Sequence, residues 1–417
     1  MKAATNKIAV LAPNIPSLSA TFVYNEIFAL ERAGFDVSPV SVHADHGTDD
    51  SRLNRLQSRT YYLYATPLLA KLQSVAIFSQ RHPLRTFRLT ATLLGDMARL
   101  FRELSVRRAG HEAPRLVYQW LTGLALAGYL QKRGCLHLHI HFAHVPARIG
   151  MYAALAAGIP FTVTAHANDL FERGLLIQRI AARARRFLTV SEFNRRWLSA
   201  HGVAPEKVGL VRCSVTTPQT KSDLRAMNHG RGLVVLGSLG RLVPKKGMDV
   251  LIRALAESPE VRLELAGDGP EREYLRALAR THAPGRVRFL GALPHARVRD
   301  WMSCLDGFVL ACRRDASGDM DGIPVVLMEA MSCGVPVVST RISGIPELVE
   351  HEVTGLLAEP DSPGAFARQI NTLRSHPRLI TELSRRAYER VTGEFGVRRN
   401  TKRLIQYIQE EQSSERA

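Results

Sequence analysis

The chain of 417 residues is short of acidic residues, of paired cysteines and of long apolar runs, and each shortage removes a class of protein. Its five cysteines (Cys135, Cys213, Cys304, Cys312 and Cys333) form no C-x-x-C pair. An odd, widely spaced set fits neither a disulfide framework nor a zinc site and suits a reducing compartment. The apolar stretch LVYQWLTGLALAGYL reaches about 15 residues, short of the ~20 that span a bilayer, and reads as a buried helix. The short apolar run of MKAATNKIAVLAPNIPS ends at Pro13, too soon for a signal peptide, so a first buried strand and a cytoplasmic chain are expected. No internal repeat is evident. Acidic residues number 38 against 56 Lys+Arg, giving +18. Such a surface attracts nucleic acid, anionic lipid headgroups or phosphorylated small molecules. Nucleic-acid readers interleave basic residues with exposed aromatics or carry a reader motif; neither is present, and no nucleic-acid partner is expected.

What is present is a rhythm of short β-branched runs, small-residue turns and longer amphipathic segments. KIAVLAP, FDVSPVSV, LHLHIHF, PFTVTAH, RFLTVS and KVGLVR read as strands in the first half. GLVVLGSL, VRLELAG, RVRFLG, DGFVLA, VPVVST and TGLLAE do so in the second. Alternating strands and helices imply parallel sheets covered on both faces, so the expected fold is α/β with two Rossmann-like, doubly wound domains. Residues 1–215 form the first and 233–394 the second, joined by a polar linker at 216–232. Residues 395–417 form a final helix that crosses back to the first domain.

Residues 66–133 break the rhythm and read as two or three helices inserted in the first domain. Within 71–110, Lys71, Arg81, Arg85, Arg88, Arg99, Arg102, Arg107 and Arg108 outweigh Asp96 and Glu103, a local charge of +6. Leu84, Phe87, Leu93, Leu94, Met97, Leu100, Phe101 and Leu104 add an apolar stripe at helical spacing. Two readings stay open: a helix lying on an anionic membrane surface, or an ordinary stripe packed on the domain with solvated arginines.

Chemistry concentrates in DMDGIPVVLMEAMSCG (319–334). Gly322 opens a helix, Pro324 sits in its first turn and Gly334 closes it. Glu329 lies in a segment apolar on nearly all sides, an unfavourable place for a carboxylate unless it is paired or hydrogen-bonded. A ribose, with two adjacent hydroxyls, would satisfy it; a structural ion pair would too. Asp321 stands at the helix mouth, as an anion-site residue or simply a cap. In GSLGRLVPKKGMDVL, a strand-to-helix loop places Arg241 and Lys246 where ligands bind a parallel sheet, able to clamp a diphosphate. His166 ends the strand of FTVTAHANDLF. His137, His139 and His141 share a strand face without supporting carboxylates, so no metal is expected there. In LELAGDGPE, Gly267 and Gly269 admit either a close ligand or a simple turn.

In this order, these motifs resemble the retaining glycosyltransferases of family four, which have the GT-B fold of two Rossmann-like domains facing across a cleft. The resemblance is strongest in GSLGRLVPKKGMDVLIRAL, LELAGDGPEREYL, DGIPVVLMEAMSCGVPVVST and SGIPELVEHEVTGLLAEPD. In the first half, TFVYNEI, HIHFAH, TAHANDLF and VSEFNRRWL are similar to members that build bacterial exopolysaccharide of the colanic-acid type. The family's E-x7-E signature reads Asp321-x7-Glu329 here, with a carboxylate one methylene shorter at the first position. The resemblance gives Glu329 the ribose hydroxyls, Asp321 the donor-sugar hydroxyls, Arg241 and Lys246 the diphosphate, and His166 a place beside the transferring sugar. Gly267, Gly322 and Ile323 are placed in the donor site with them. The loop APNIPSLSATF departs from the glycines many members carry, which leaves the acceptor side open.

The resemblance implies transfer of a sugar from a UDP- or GDP-sugar, as co-substrate, to a glycan or lipid-linked acceptor on the inner membrane face. It further implies retention of configuration, no cofactor and no metal. Asp319-Met320-Asp321 spells D-x-D, a metal motif elsewhere, but it precedes a helix N-terminus that repels cations. A nucleotide-sugar epimerase on the same fold is an alternative, and so is a non-catalytic basic protein binding membrane or nucleic acid.

Overall fold

The computed structural model describes residues 6–17, 20–44, 50–172, 174–215 and 234–410. Two compact units result. The first comprises Met1–Val190, Arg195–Val211 and Thr401–Ala417; the second comprises Ser191–Asn194 and Arg212–Asn400. The expected linker, 216–232, lies outside the described residues.

The first unit is built on a seven-stranded sheet ordered β3-β2-β1-β4-β5-β6-β7. Its strands are β1 (Lys7–Asn14), β2 (Asp36–His43), β3 (Tyr61–Tyr62), β4 (His137–His141), β5 (Phe161–Ala165), β6 (Arg186–Thr189) and β7 (Val208–Leu210). All pairs are parallel. Every residue of β4 and β5 is buried, including the histidines and threonines that alternate with apolar residues along them. Only β3 has no counterpart in the sequence reading: two residues at a sheet edge are too few to show a period.

The segment 66–133 forms three helices, Leu68–Arg81, Pro83–Glu103 and Val106–Arg133. The third ends at Gly134, whose φ of 68° is the left-handed conformation of a helix C-cap. It packs closely on the helix Val145–Ala157: a Cβ at Gly123 would stand 2.8 Å from the Ile149 carbonyl oxygen. Buried Asp96 fastens the middle helix, taking Arg179 Nε at 2.7 Å and a hydroxyl hydrogen bond from Tyr152 at 2.9 Å. Of the apolar stripe, Leu93 and Leu100 point inward, whereas Leu84, Phe87, Leu94 and Phe101 are exposed. Lys71, expected on the basic surface, is instead fully buried. Among the described residues no helix is long and apolar enough to cross a membrane.

The second unit holds a six-stranded sheet ordered β10-β9-β8-β11-β12-β13. Its strands are β8 (Val234–Leu239), β9 (Val261–Ala266), β10 (Val287–Gly291), β11 (Gly307–Val309), β12 (Val337–Thr340) and β13 (Leu356–Ala358). Counted from β8, this is the 3-2-1-4-5-6 Rossmann order, whose direction reverses between β8 and β11. Glu347 accepts the backbone N–H groups of Glu192 and Phe193 at 2.9 and 2.8 Å, which fixes Ser191–Asn194 to this unit. The last helix, Val397–Gln409, begins in the second unit and from Thr401 belongs to the first. There Leu404 and Ile408 are buried with Val10, Ile27 and Leu188, and Glu410 takes Arg186 in two contacts of 2.6 and 2.8 Å.

Candidate active site

In the second unit the sequence motifs converge at the reversal point, where a doubly wound sheet opens a crevice beyond its strand ends. β8 runs into Gly240, Arg241 and a 3-10 turn, Pro244–Lys246. Gly247 then turns at φ 62°, and a Cβ there would stand 1.8 Å from the Ala311 carbonyl oxygen. That close approach brings Lys245 and Lys246 beside the chain leaving β11. Arg313 locks the same junction by donating from Nε to the Pro244 carbonyl at 2.8 Å.

The chain after β11 returns as an Asp315-centred turn. The Asp315 carboxylate accepts from the Ser317 and Asp319 backbone N–H groups at 2.9 and 3.1 Å. This delivers Asp319 and Asp321 to the two lysines. Lys245 Nζ lies 2.7 Å from Asp319 and 3.5 Å from Asp321, and Lys246 Nζ lies 2.5 Å from Asp321. Burial opposes charge on Lys246 and on Asp321, but each partner outweighs it. The lysine is raised above its ordinary range, and the aspartate is held below the usual carboxylate range. Both stay charged at neutral pH.

These contacts change three expectations. Lys245 was passed over, although it adjoins Lys246. Of the two cations expected to clamp a diphosphate, Lys246 faces an aspartate, as Lys245 does, while Arg241 is exposed. The helix begins at Val325 rather than Gly322, with Pro324 as its N-cap residue and no side-chain cap, so Asp321 is not a cap. Gly322 and Ile323 bend the chain into an extended Pro324, from which the helix starts.

Glu329 lies in the helix Val325–Ser332 among buried Leu327, Met328, Ala330 and Met331. Its carboxylate takes no cation among the described residues, and burial alone raises its pKa to about 7. The ion-pair alternative is thereby removed.

Gly267 follows β9 with φ 123°, and a Cβ there would sit 1.9 Å from the Gly240 carbonyl oxygen. A Cβ at Gly269 would meet the Leu242 oxygen at 2.4 Å. Both glycines serve the contact between the two loops that leave β8 and β9, which accounts for them without a ligand.

In the first unit His166 directly follows β5. Its backbone N–H donates to Asp169 at 2.8 Å, and its ring lies between Phe22 and Phe142, with centroids 4.6 and 4.5 Å away. Burial drives its pKa well below the ordinary value, so the ring is neutral. His141 Nδ1 lies 3.4 Å from His166 Nε2, and His141 Nε2 lies 3.0 Å from Glu26. Glu26 also approaches His139 Nε2 at 3.3 Å. The histidines of β4 thus do have a carboxylate, brought from the helix Thr21–Arg32. Burial works to raise the Glu26 carboxyl, but His141 and His139 bring it well below the usual range. The trio has the donor set of a two-histidine, one-carboxylate metal site, and its own hydrogen bonds satisfy the same atoms.

Two parallel α/β units, the second with a carboxylate–lysine cluster at its Rossmann reversal point, are the parts of which GT-B glycosyltransferases are built. In fold the chain is similar to Anabaena HepE, solved with UDP and glucose, at a TM-score of 0.69 and 19% identity over 96% of this chain and 98% of that one. It is also similar to a sucrose-phosphate synthase from Thermosynechococcus elongatus, at a TM-score of 0.70 and 19% identity over 96% and 97%. Residues 19–218 match the model for Glycosyltransferase Family 4, and residues 233–376 match that for Glycosyl transferases group 1. The chain is 28% identical to Escherichia coli WcaL, named for colanic acid biosynthesis, over 97% of this chain and 99% of that protein. It is likewise 28% identical to the amylovoran biosynthesis glycosyltransferase AmsK of Erwinia amylovora, over 93% and 96%. The chain thus carries a Glycosyltransferase Family 4 domain followed by a Glycosyl transferases group 1 domain.

Proposed function

We propose that this glycosyltransferase is a retaining, metal-independent hexosyltransferase of exopolysaccharide biosynthesis. It takes a sugar from a UDP- or GDP-sugar and passes it to a glycan or lipid-linked acceptor. The observation that carries the reading is Glu329, a half-buried carboxylate that no cation meets among the described residues, eight residues beyond Asp321 at the reversal point. Two ribose hydroxyls supply the donors it lacks. Asp321 faces the donor-sugar hydroxyls, with Gly322 and Ile323 beside it.

As the glycosidic bond breaks, negative charge grows on the leaving diphosphate, and Arg241 with Lys246 stabilises it. Lys245 joins them by occupying Asp319, so the D-x-D carboxylates already hold ammonium groups where a divalent ion would bind. No carboxylate of the chain is assigned as a covalent nucleophile. The acceptor attacks from the face the leaving group departs, and a phosphate oxygen takes its proton. His166, neutral, lies beside the transferring sugar.

The helices 68–103 are read as a peripheral contact with the inner membrane face. Leu84 and Phe87 are 77% and 74% exposed on a helix that also presents Arg88 and Arg102 to solvent. A folded protein leaves such residues exposed together when another surface covers them. Screening UDP-, GDP- and ADP-sugars for thermal stabilisation, then assigning the product's anomeric configuration by NMR, tests the reading. An inverted product, or release of an isomerised nucleotide sugar, refutes it.

A further inference from the structure

The inserted helices close one side of a cavity of about 870 Å³ within the first unit. It opens at the carboxyl end of the sheet, where His43 ends β2 and His144 follows β4. Its walls carry Arg108, Arg115 and Arg148, the rings of Tyr64 and Tyr118, and the carboxylates of Glu112 and Glu172, with Arg115 held 2.8 Å from Glu112.

Arg148 is 5% exposed, and its Nε has no hydrogen-bond partner. The nearest paired carboxylate, Glu112, stands 3.9 Å away, beyond hydrogen-bond reach. Behind the tyrosines, Lys71 is 1% exposed. Its Nζ lies 2.6 Å from the Tyr118 hydroxyl and 4.6 and 5.2 Å from the Tyr118 and Tyr64 ring centres. Among the described residues no carboxylate pairs with Lys71. Lys71 is thus withdrawn from the basic surface to which the sequence assigned it, and two rings and a hydroxyl supply no formal negative charge.

A surplus of positive charge removed from water is unfavourable unless an anion completes the site. Arginine forks suit phosphate oxygens in two-point contact, and the positive end of the helix Val145–Ala157 adds to the same field. The cavity is larger than a phosphate needs, and two tyrosine rings line the remainder, offering flat apolar faces to a sugar ring. Val106, 78% exposed and two residues from Arg108, continues the apolar surface of the neighbouring helices to the cavity's edge.

We propose that this cavity binds the phosphate of the acceptor: a lipid-linked glycosyl phosphate or diphosphate. Arg148 and Lys71 balance its charge, the sugar lies against Tyr64 and Tyr118, and the lipid leaves over the inserted helices. The inference rests on the glycosyltransferase reading and assigns the acceptor class that reading leaves open.

The test is calorimetric titration of inorganic pyrophosphate into protein already saturated with UDP, so that the donor site is filled. One pyrophosphate per chain is expected, with affinity reduced at least tenfold in Arg148→Gln and UDP affinity unchanged. If Arg148→Gln does not fold, the double variant Arg108→Gln, Arg115→Gln, altered on the cavity rim, carries the same comparison. Farnesyl diphosphate should bind at least tenfold tighter than pyrophosphate; equal affinity overturns the lipid-linked source. No binding to the UDP-saturated wild type, or binding that none of these variants weakens, overturns the site itself. Failure of UDP to bind would count against the donor reading instead, and the response to Arg148→Gln would still decide this one.

Discussion

Replacing Glu329 by glutamine separates the cost of the carboxylate from its use. In the free protein, burial raises this carboxyl from 4.5 to about 7. An acid with a raised folded pKa weakens the fold wherever it is ionised in the unfolded chain. The penalty is nearly absent below about 4.5, grows through the interval, and is complete above about 7. At 1.36 kcal/mol per unit it reaches about 3 kcal/mol at pH 8 and about 1 kcal/mol at pH 5. Glu329→Gln keeps the shape and removes the charge, so denaturant unfolding should show it more stable than wild type by about those amounts. Donor binding should move the other way. Two hydroxyls donating to a carboxylate favour its ionised form, so wild-type affinity for UDP should fall about tenfold between pH 8 and pH 6 beyond any change in the variant. At pH 8 the variant should bind UDP at least tenfold more weakly, since hydrogen bonds to a charged acceptor contribute roughly 1.5–3 kcal/mol each. Calorimetry at both pH values reads both effects. A variant that matches wild-type affinity at pH 8, or that is no more stable there, would refute the assignment of Glu329 to the ribose.

Turnover should be complete in excess chelator, whereas Arg241→Ala and Lys246→Ala should each lower kcat by at least a hundredfold; recovery of a chelated enzyme by manganese or magnesium would overturn the charge argument. Asp319→Ala should reduce the rate only a fewfold, because Lys245 still has Asp321 at 3.5 Å. Gly267→Ala should destabilise the protein by about 3 kcal/mol, measured by denaturant unfolding, because it combines a disfavoured φ with a backbone overlap. Leu84→Ser with Phe87→Ser should lose flotation on phosphatidylglycerol vesicles while retaining UDP binding; unchanged flotation would remove the membrane reading.

Twelve of the thirteen strands were legible as short β-branched runs between turns and helices, whether buried throughout, as β5 is, or partly open, as β10 is. Tyr61–Tyr62 could not be read, since its identity as a strand lies in pairing with Val40 and Ser41 rather than in its own two residues. The carboxylates of the second unit were legible as residues but not as partners. Nothing local says that Lys245 reaches Asp319, for the two are brought together by a glycine turn and an Asp-centred loop. Glu26 was invisible beside the histidines for the same reason: 115 residues separate it from His141, and only the packing of a helix on β4 joins them. The direction of Lys71 was misread because one basic residue on an amphipathic helix looks like any other until its neighbours across the cavity are known.

The return of the last helix to the first unit has a consequence for the order in which the protein can be made. The second unit closes at Asn400, yet Leu404 and Ile408 still belong to the interior of the first. On the ribosome, the half synthesised first is therefore the half completed last. Until residue 408 emerges, the sheet around Val10 and Leu188 presents an open apolar seam to whatever else is in the cell.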